Sequence, residues 1–176
     1  MVFIRDRHSK KRHDPIAQQL IDGTFVDVDG VHHALENRIE ETTRIIVILD
    51  FGEASPLAAP RVADLYTMSR WLAKQPGVQH VESFVDLDPS FPLGQYQMLA
   101  VMRATGPPAI QGALAQTMGR HIALLAVHSA YPASSDEARN LVRHIRETHP
   151  AIQGRVLVTG HAAFDIDFLA LVRVHA

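Results

Sequence analysis

The sequence predicts an α+β domain, a ferredoxin-like βαββαβ sandwich with a helical hairpin inserted between its second and third strands. Three observations lead there. Residues 43–51 form an almost unbroken β-branched and aliphatic run of the kind that makes strands. Ala138, Leu141, Val142 and Ile145 fall at i, i+3, i+4 and i+7, one apolar face of an amphipathic helix. Strand-like and helix-like segments then follow one another as strand, helix, strand, helical insertion, strand, helix, strand, the split βαβ order. Right-handed crossovers bring the paired strands together in an antiparallel sheet with both main helices on one face.

The chain of 176 residues is 47% hydrophobic, enough for one domain with a sizeable core. Seventeen Lys and Arg against 19 Asp and Glu give a formal charge of -2, so no broad cationic field attracts phosphate backbones and nucleic acid is not expected as a partner. The absence of cysteine excludes disulfides, thiolate metal sites and a cysteine nucleophile. No uncharged apolar run approaches the roughly 20 residues that cross a bilayer, and the opening Met1-Val2-Phe3-Ile4 is too short for a signal-peptide core.

Residues 1–42 differ from the rest. Arg5-Asp6-Arg7-His8-Ser9-Lys10-Lys11-Arg12-His13 is a basic run that reads as a partly flexible, solvated lead segment, with a modest helical stripe of Val31, Ala34 and Leu35 after it. The domain proper is expected over residues 43–176. Its first strand, residues 43–51, reads as buried on both faces. Val62, Leu65, Ser69 and Leu72 mark a helix that Pro76-Gly77 must end. Residues 78–85 alternate, with Val78, His80, Glu82 and Phe84 on one side and Gln79, Val81, Ser83 and Val85 on the other, which predicts a second strand.

Residues 89–120 hold two helical stretches, one with Tyr96, Leu99 and Ala100 and one with Ile110, Leu114 and Met118, separated by Thr105-Gly106-Pro107-Pro108. Residues 121–128 predict the third strand. Ser134-Ser135-Asp136-Glu137 has the spacing of a capping box and opens the second main helix. Residues 155–160 predict the fourth strand, and a helical, increasingly apolar segment begins at Ala162.

Several groups invite a chemical reading. Of eleven histidines, His32-His33 are adjacent and point apart on a helix, while His144, His149 and His161 lack ligand spacing and no HExxH occurs, so no metal ligand is assigned. Asp27-Val28-Asp29 and Asp86-Leu87-Asp88 precede Gly30 and Pro89 and read as turn formers. Asp165-Ile166-Asp167 belongs to the last helix, and none of the three continues into a calcium loop. Ser129 beside His128, with Asp136 downstream, lacks a nucleophile elbow, and adjacent strand residues face opposite ways. Gly52, Gly77 and Gly160 are isolated and cradle no phosphate. No catalytic or cofactor-binding residue is assigned. Tyr96, Met98, Leu99, Met102, Ile110, Leu114 and Met118 of the hairpin form an adaptable apolar set, either core or a candidate surface for a hydrophobic substrate or partner.

The run over residues 43–51, Pro76-Gly77-Val78-Gln79-His80-Val81, and Val156-Leu157-Val158-Thr159-Gly160-His161-Ala162-Ala163-Phe164-Asp165-Ile166-Asp167 together resemble the extracytoplasmic loop of transporters of the MMPL family, in the resistance-nodulation-division superfamily. That family often carries a PGV..V turn and a TG..A...D segment in a porter-like domain between membrane helices, and Asp167 stands at the last position of the second motif. The resemblance implies a non-enzymatic porter domain on the extracytoplasmic side of the cell membrane, in a proton-driven exporter of lipids or other hydrophobic molecules. Its partners would be the remaining transmembrane and porter parts of the same transporter, with the proton relay in the membrane helices. The sequence assigns no oligomeric state to it. The alternative reading is a stand-alone ferredoxin-like ligand-binding or regulatory module acting as a dimer, and a third is a metal-dependent enzyme using the histidines and Asp-x-Asp units.

Overall fold

A computed structural model describes residues 43–174; the lead segment expected over residues 1–42, with His32, His33, Asp27 and Asp29, lies outside the described residues. The first strand, β1 (Thr43–Asp50), runs antiparallel to two neighbours, β3 (Ile122–Ser129) and β4 (Arg155–Thr159), and β3 pairs antiparallel with β2 (Val78–Glu82). The sheet order is β2-β3-β1-β4. Five helices accompany it among the described residues: α1 (Ala59–Leu72), α2 (Leu93–Val101), α3 (Pro108–Thr117), α4 (Asp136–Thr148) and α5 (His161–Val174). The domain is therefore a mixed α+β structure around a four-stranded antiparallel sheet.

Side chains alternate across a strand, and the pairing register sorts them into two faces. Thr43, Ile45, Val47 and Leu49 of β1 stand opposite Ser129, Val127, Leu125 and Ala123 of β3, and all eight are buried. Against this face pack Val62, Leu65, Met68, Ser69 and Leu72 of α1 and Ala138, Leu141, Val142 and Ile145 of α4. Burying each Leu, Val or Ile contributes ~1.5–3 kcal/mol, whereas an N-cap contributes ~1 kcal/mol, so helix position is set mainly by this packing. The cap of α4 is Ser135, whose hydroxyl accepts from Ala138 N–H. That places Ala138, not Glu137, at the third helical position, and the reciprocal glutamate of a capping box is absent.

The opposite face differs from the sequence expectation of a first strand buried on both sides. Arg44 is exposed and Ile46, Ile48 and Asp50 are half-buried, because among the described residues no helix layer covers this face and α3 borders it. The aliphatic run carries no mark of which alternate positions keep water contact.

The second strand is shorter than its alternating pattern. It ends at Glu82, and Phe84–Asp86 form a 3-10 turn that buries Phe84 and Val85. Ser83 terminates the strand, its hydroxyl accepting from Val85 N–H and donating to Asp86. Phe84 therefore joins the core instead of the side shared by His80 and Glu82. Val78 also leaves that side, for a reason that bears on the site.

Gly77 starts β2 in the left-handed region, φ 77°, and a Cβ there would run into the Tyr131 ring. Its carbonyl accepts from Ala130 N–H at 2.8 Å, closing the end of the β2–β3 pair. Gly160, φ 119°, has Arg44 O 2.8 Å from where a Cβ would stand, and it passes the chain from β4 into α5. Ala162 and Ala163 of α5 are buried, while Arg146 of α4 donates twice to the Asp167 carboxylate, at 2.7 and 2.9 Å, and once to Val158 O. One guanidinium thus joins α4, β4 and α5.

Candidate functional site

The face of the sheet opposite α1 and α4 carries Arg44, His80, Glu82 and His128. A β-bulge at Gln79 decides what stands there: Val78 opposes Ser129 but His80 opposes His128, so two residues of β2 span one step of β3. The extra residue flips the alternation. Val78 stays on the core side, His80 and Glu82 emerge on the open side, and Val81 returns to the core opposite Val127.

His80 and His128 are consequently a cross-strand pair, their rings stacked with centroids 4.1 Å apart and planes 9° from parallel. Glu82 follows His80 by two residues on the same face. Its Oε1 lies 3.3 Å from His80 Nε2 and its Oε2 lies 3.2 Å from His128 Nε2. The first contact is a hydrogen bond. The second is at ion-pair distance but off the hydrogen-bond direction, and it leaves the buried His128 Nε2 without a hydrogen-bond partner. Burial pushes the Glu82 carboxyl up, but the adjacent His128 and His80 rings outweigh it and hold the group below its ordinary value.

Beside this cluster lies a cavity of about 260 Å³ on the same face. Ile46, Leu124 and Ala126 make its floor, Ala113, Gln116 and Thr117 of α3 one wall, and Arg44 and Glu82 its polar edge. An apolar floor with a few charged groups at the edge is the usual make-up of a small-molecule site.

The seven hairpin residues singled out from sequence do not share one surface. Tyr96 is fully buried and Leu114 nearly so, Leu99, Ile110 and Met118 are half-buried, and Met98 and Met102 are exposed beside Val101. Tyr96 sits edge-on to Phe84, tilted against Tyr66 and Phe91, and its hydroxyl donates to Asp88 O and accepts from Asp88 N–H. It docks α2 onto α1, helped by Gln97 donating to Ala59 O at 2.9 Å. Met118 bridges to Ala123 at the entry to β3.

Three other histidines make local contacts, whereas the buried His121 Nδ1 has no hydrogen-bond partner. His144 stacks on Trp71 and contacts Gln75 at 3.0 Å, His149 contacts Pro150 O at 2.9 Å, and His161 lies 3.7 Å from Asp165. Asp88 accepts from Ser90 N–H at 2.8 Å, a turn contact. Ser129 is buried on the core face, accepting from Tyr131 N–H, while His128 faces the other way.

The alternating pattern puts Val78, His80, Glu82 and Phe84 on one side of a strand but gives no sign of His128 beside them. The two-residue spacing on a strand was visible; the cross-strand partner depends on a bulge that no residue type at Gln79 announces.

Among the described residues, His80, Glu82 and His128 bring three donor atoms within 4.8 Å of one another, and no helix is long and apolar enough to cross a membrane. Comparison with protein-family models and with curated protein sequences gives no match.

Proposed function

We propose that this chain is the extracytoplasmic, porter-like domain of a proton-driven exporter of lipids or other hydrophobic molecules, with a ferredoxin-like βαββαβ core and a helical hairpin inserted between its second and third strands. The β2-β3-β1-β4 order with antiparallel neighbours supports the ferredoxin-like part of the reading. The observation that carries the transporter part is α5. It follows the Thr159-Gly160 step and keeps its first turn in the core through Ala162 and Ala163, then presents Phe164, Phe168, Leu169 and Val172 outward, each 46–66% exposed. Phe164 and Phe168 stack on one another at 5.9 Å. Such a surface is costly in water and suits contact with the membrane-embedded part of the same transporter.

In this reading the domain is not an enzyme. The apolar-floored cavity between the open face and α3 forms part of the wall of the substrate path, and proton-carrying groups belong to the membrane helices, where a buried charge is retained for function. The domain contains no cysteine, which makes its side of the membrane directly testable. A Glu147→Cys substitution on the exposed side of α4, in the full-length protein, should react with a membrane-impermeant thiol reagent added to intact cells, above the unsubstituted background. Labelling only after the membrane is broken would reject the extracytoplasmic placement.

A second reading, a dimeric binding or regulatory module, draws on β4. It is an edge strand with Leu157 half exposed on the open face, a surface that a second copy can cover. Sedimentation would then give a defined dimer; a monomer at every accessible concentration would remove this reading.

A further inference from the structure

We propose that His80, Glu82 and His128 form a binding site for a divalent transition-metal ion on the open sheet face, with zinc the ion that the donors fit best. Two imidazoles and one carboxylate are a zinc-type ligand set, whereas calcium and magnesium prefer oxygen donors alone. Around a tetrahedral zinc with bonds of about 2.05 Å, neighbouring donor atoms lie about 3.3 Å apart. His80 Nε2 lies 3.3 Å from Glu82 Oε1 and His128 Nε2 lies 3.2 Å from Glu82 Oε2, and one donor atom from each residue falls within 4.8 Å of the other two, so the set draws in modestly to reach that spacing.

A second observation is the state of His128 Nε2. It is buried and makes no hydrogen bond, meeting Glu82 Oε2 only at ion-pair distance, 3.2 Å, and a buried polar atom without a hydrogen bond carries a desolvation cost. An ion at the centre of the three donors would satisfy it. The backbone is already arranged for this, because the bulge at Gln79 sets His80 directly opposite His128 and brings Glu82 to the same face. Imidazole lone pairs lie in the ring plane, so an ion shared by both rings requires the stacked pair to splay. His80, about half exposed, has the room to tilt while His128 stays fixed against the sheet.

Arg44, opposite His128 on β1, adds a like charge to the neighbourhood of a bound cation, and the Glu82 carboxylate offsets it. Three protein donors leave a coordination position open, and Glu82 also borders the cavity over Ile46 and Leu124. Water or an anionic group of a molecule held in that cavity would complete the coordination.

The test uses the full chain, freed of any histidine tag and stripped with a chelator. Zinc is titrated calorimetrically while the histidine ring resonances are followed by NMR. Zinc should shift the His80 and His128 rings together at one equivalent, cobalt(II) should give a visible d–d absorption, and magnesium should leave both rings unmoved. His80→Ala, His128→Ala and Glu82→Gln should each weaken this event by at least ~10-fold, the low end of what even an outer-sphere partner contributes. The ring shifts in the unaltered chain keep the test independent of how any variant folds. The other histidines provide a background, so zinc binding that leaves the His80 and His128 resonances in place, or that survives all three substitutions unchanged, overturns the proposal.

Discussion

Asp86 joins α1 to the end of β2 through one carboxylate. Its Oδ1 accepts from Ser69 and from Arg70 Nη1, its Oδ2 accepts from Ser83, and Arg70 also donates to Val85 O while lying over the Tyr66 ring at 4.6 Å. Ser69 is fully buried. Asp86→Ala strands the Ser69 hydroxyl and leaves the Arg70 charge without its partner, so it should cost about 2–4 kcal/mol in urea unfolding. A loss under ~0.5 kcal/mol would show that water replaces the network. In the sequence Asp86 reads only as a turn former, since nothing in a linear pattern shows that Ser69 and Arg70 converge on it from the preceding helix.

Acid sensitivity also belongs to single residues. Asp50 is held below the usual aspartate range by the Gly52 N–H and by Arg155, and Asp167 by the Arg146 guanidinium. A carboxyl lowered in the folded state contributes stability that is present above its unfolded value, about 3.9 for aspartate, and is lost as pH falls through the folded value. Denaturation midpoints measured from pH 7 down to pH 3 should therefore hold until about pH 5 and then fall. Arg146→Ala should return the Asp167 carboxyl towards its ordinary value in an NMR titration.

At the scale of elements, the inserted hairpin is held by Tyr96 and bordered by the site. Tyr96→Ala removes a fully buried ring and should cost ~3–5 kcal/mol. The lost contacts dock α2, so amide exchange should accelerate first across residues 93–117, ahead of the sheet; uniform acceleration would mean that the hairpin opens only with the whole domain. The helices of the hairpin were legible because Pro107-Pro108 must interrupt them. Their placement was not, since Ala113, Gln116 and Thr117, which line the cavity, carry no apolar stripe. The amphipathic face of α4 was legible residue by residue, because four positions at helical spacing meet one flat sheet face. The bulge at Gln79 was not, and with it went the His80–His128 pairing.

At the scale of the whole molecule, the described residues give the sheet one face packed by α1 and α4 and one that carries the cavity and the histidine cluster. Continuous aliphatic strands hid that asymmetry, because Ile46 and Ile48 on the half-open face read the same as Ile45 and Val47 in the core. The apolar surface of α5 belongs at this scale too. Its 14 described residues run about 21 Å against a hydrocarbon thickness of roughly 30 Å, and no described helix is long and apolar enough to cross a membrane. Replacing Phe164 and Phe168 together by Ser should leave the isolated domain's unfolding midpoint nearly unchanged, since both side chains are more than half exposed, and should reduce its retention on detergent micelles. A large drop in the midpoint would instead assign the pair to the domain's own packing.

The central claim, a domain belonging to a membrane exporter, is tested most directly by reading the coding region on both sides of this segment with a hydropathy window of about 19 residues. The account predicts several apolar spans of roughly 20 residues in the same reading frame. A frame that encodes no such span would contradict it.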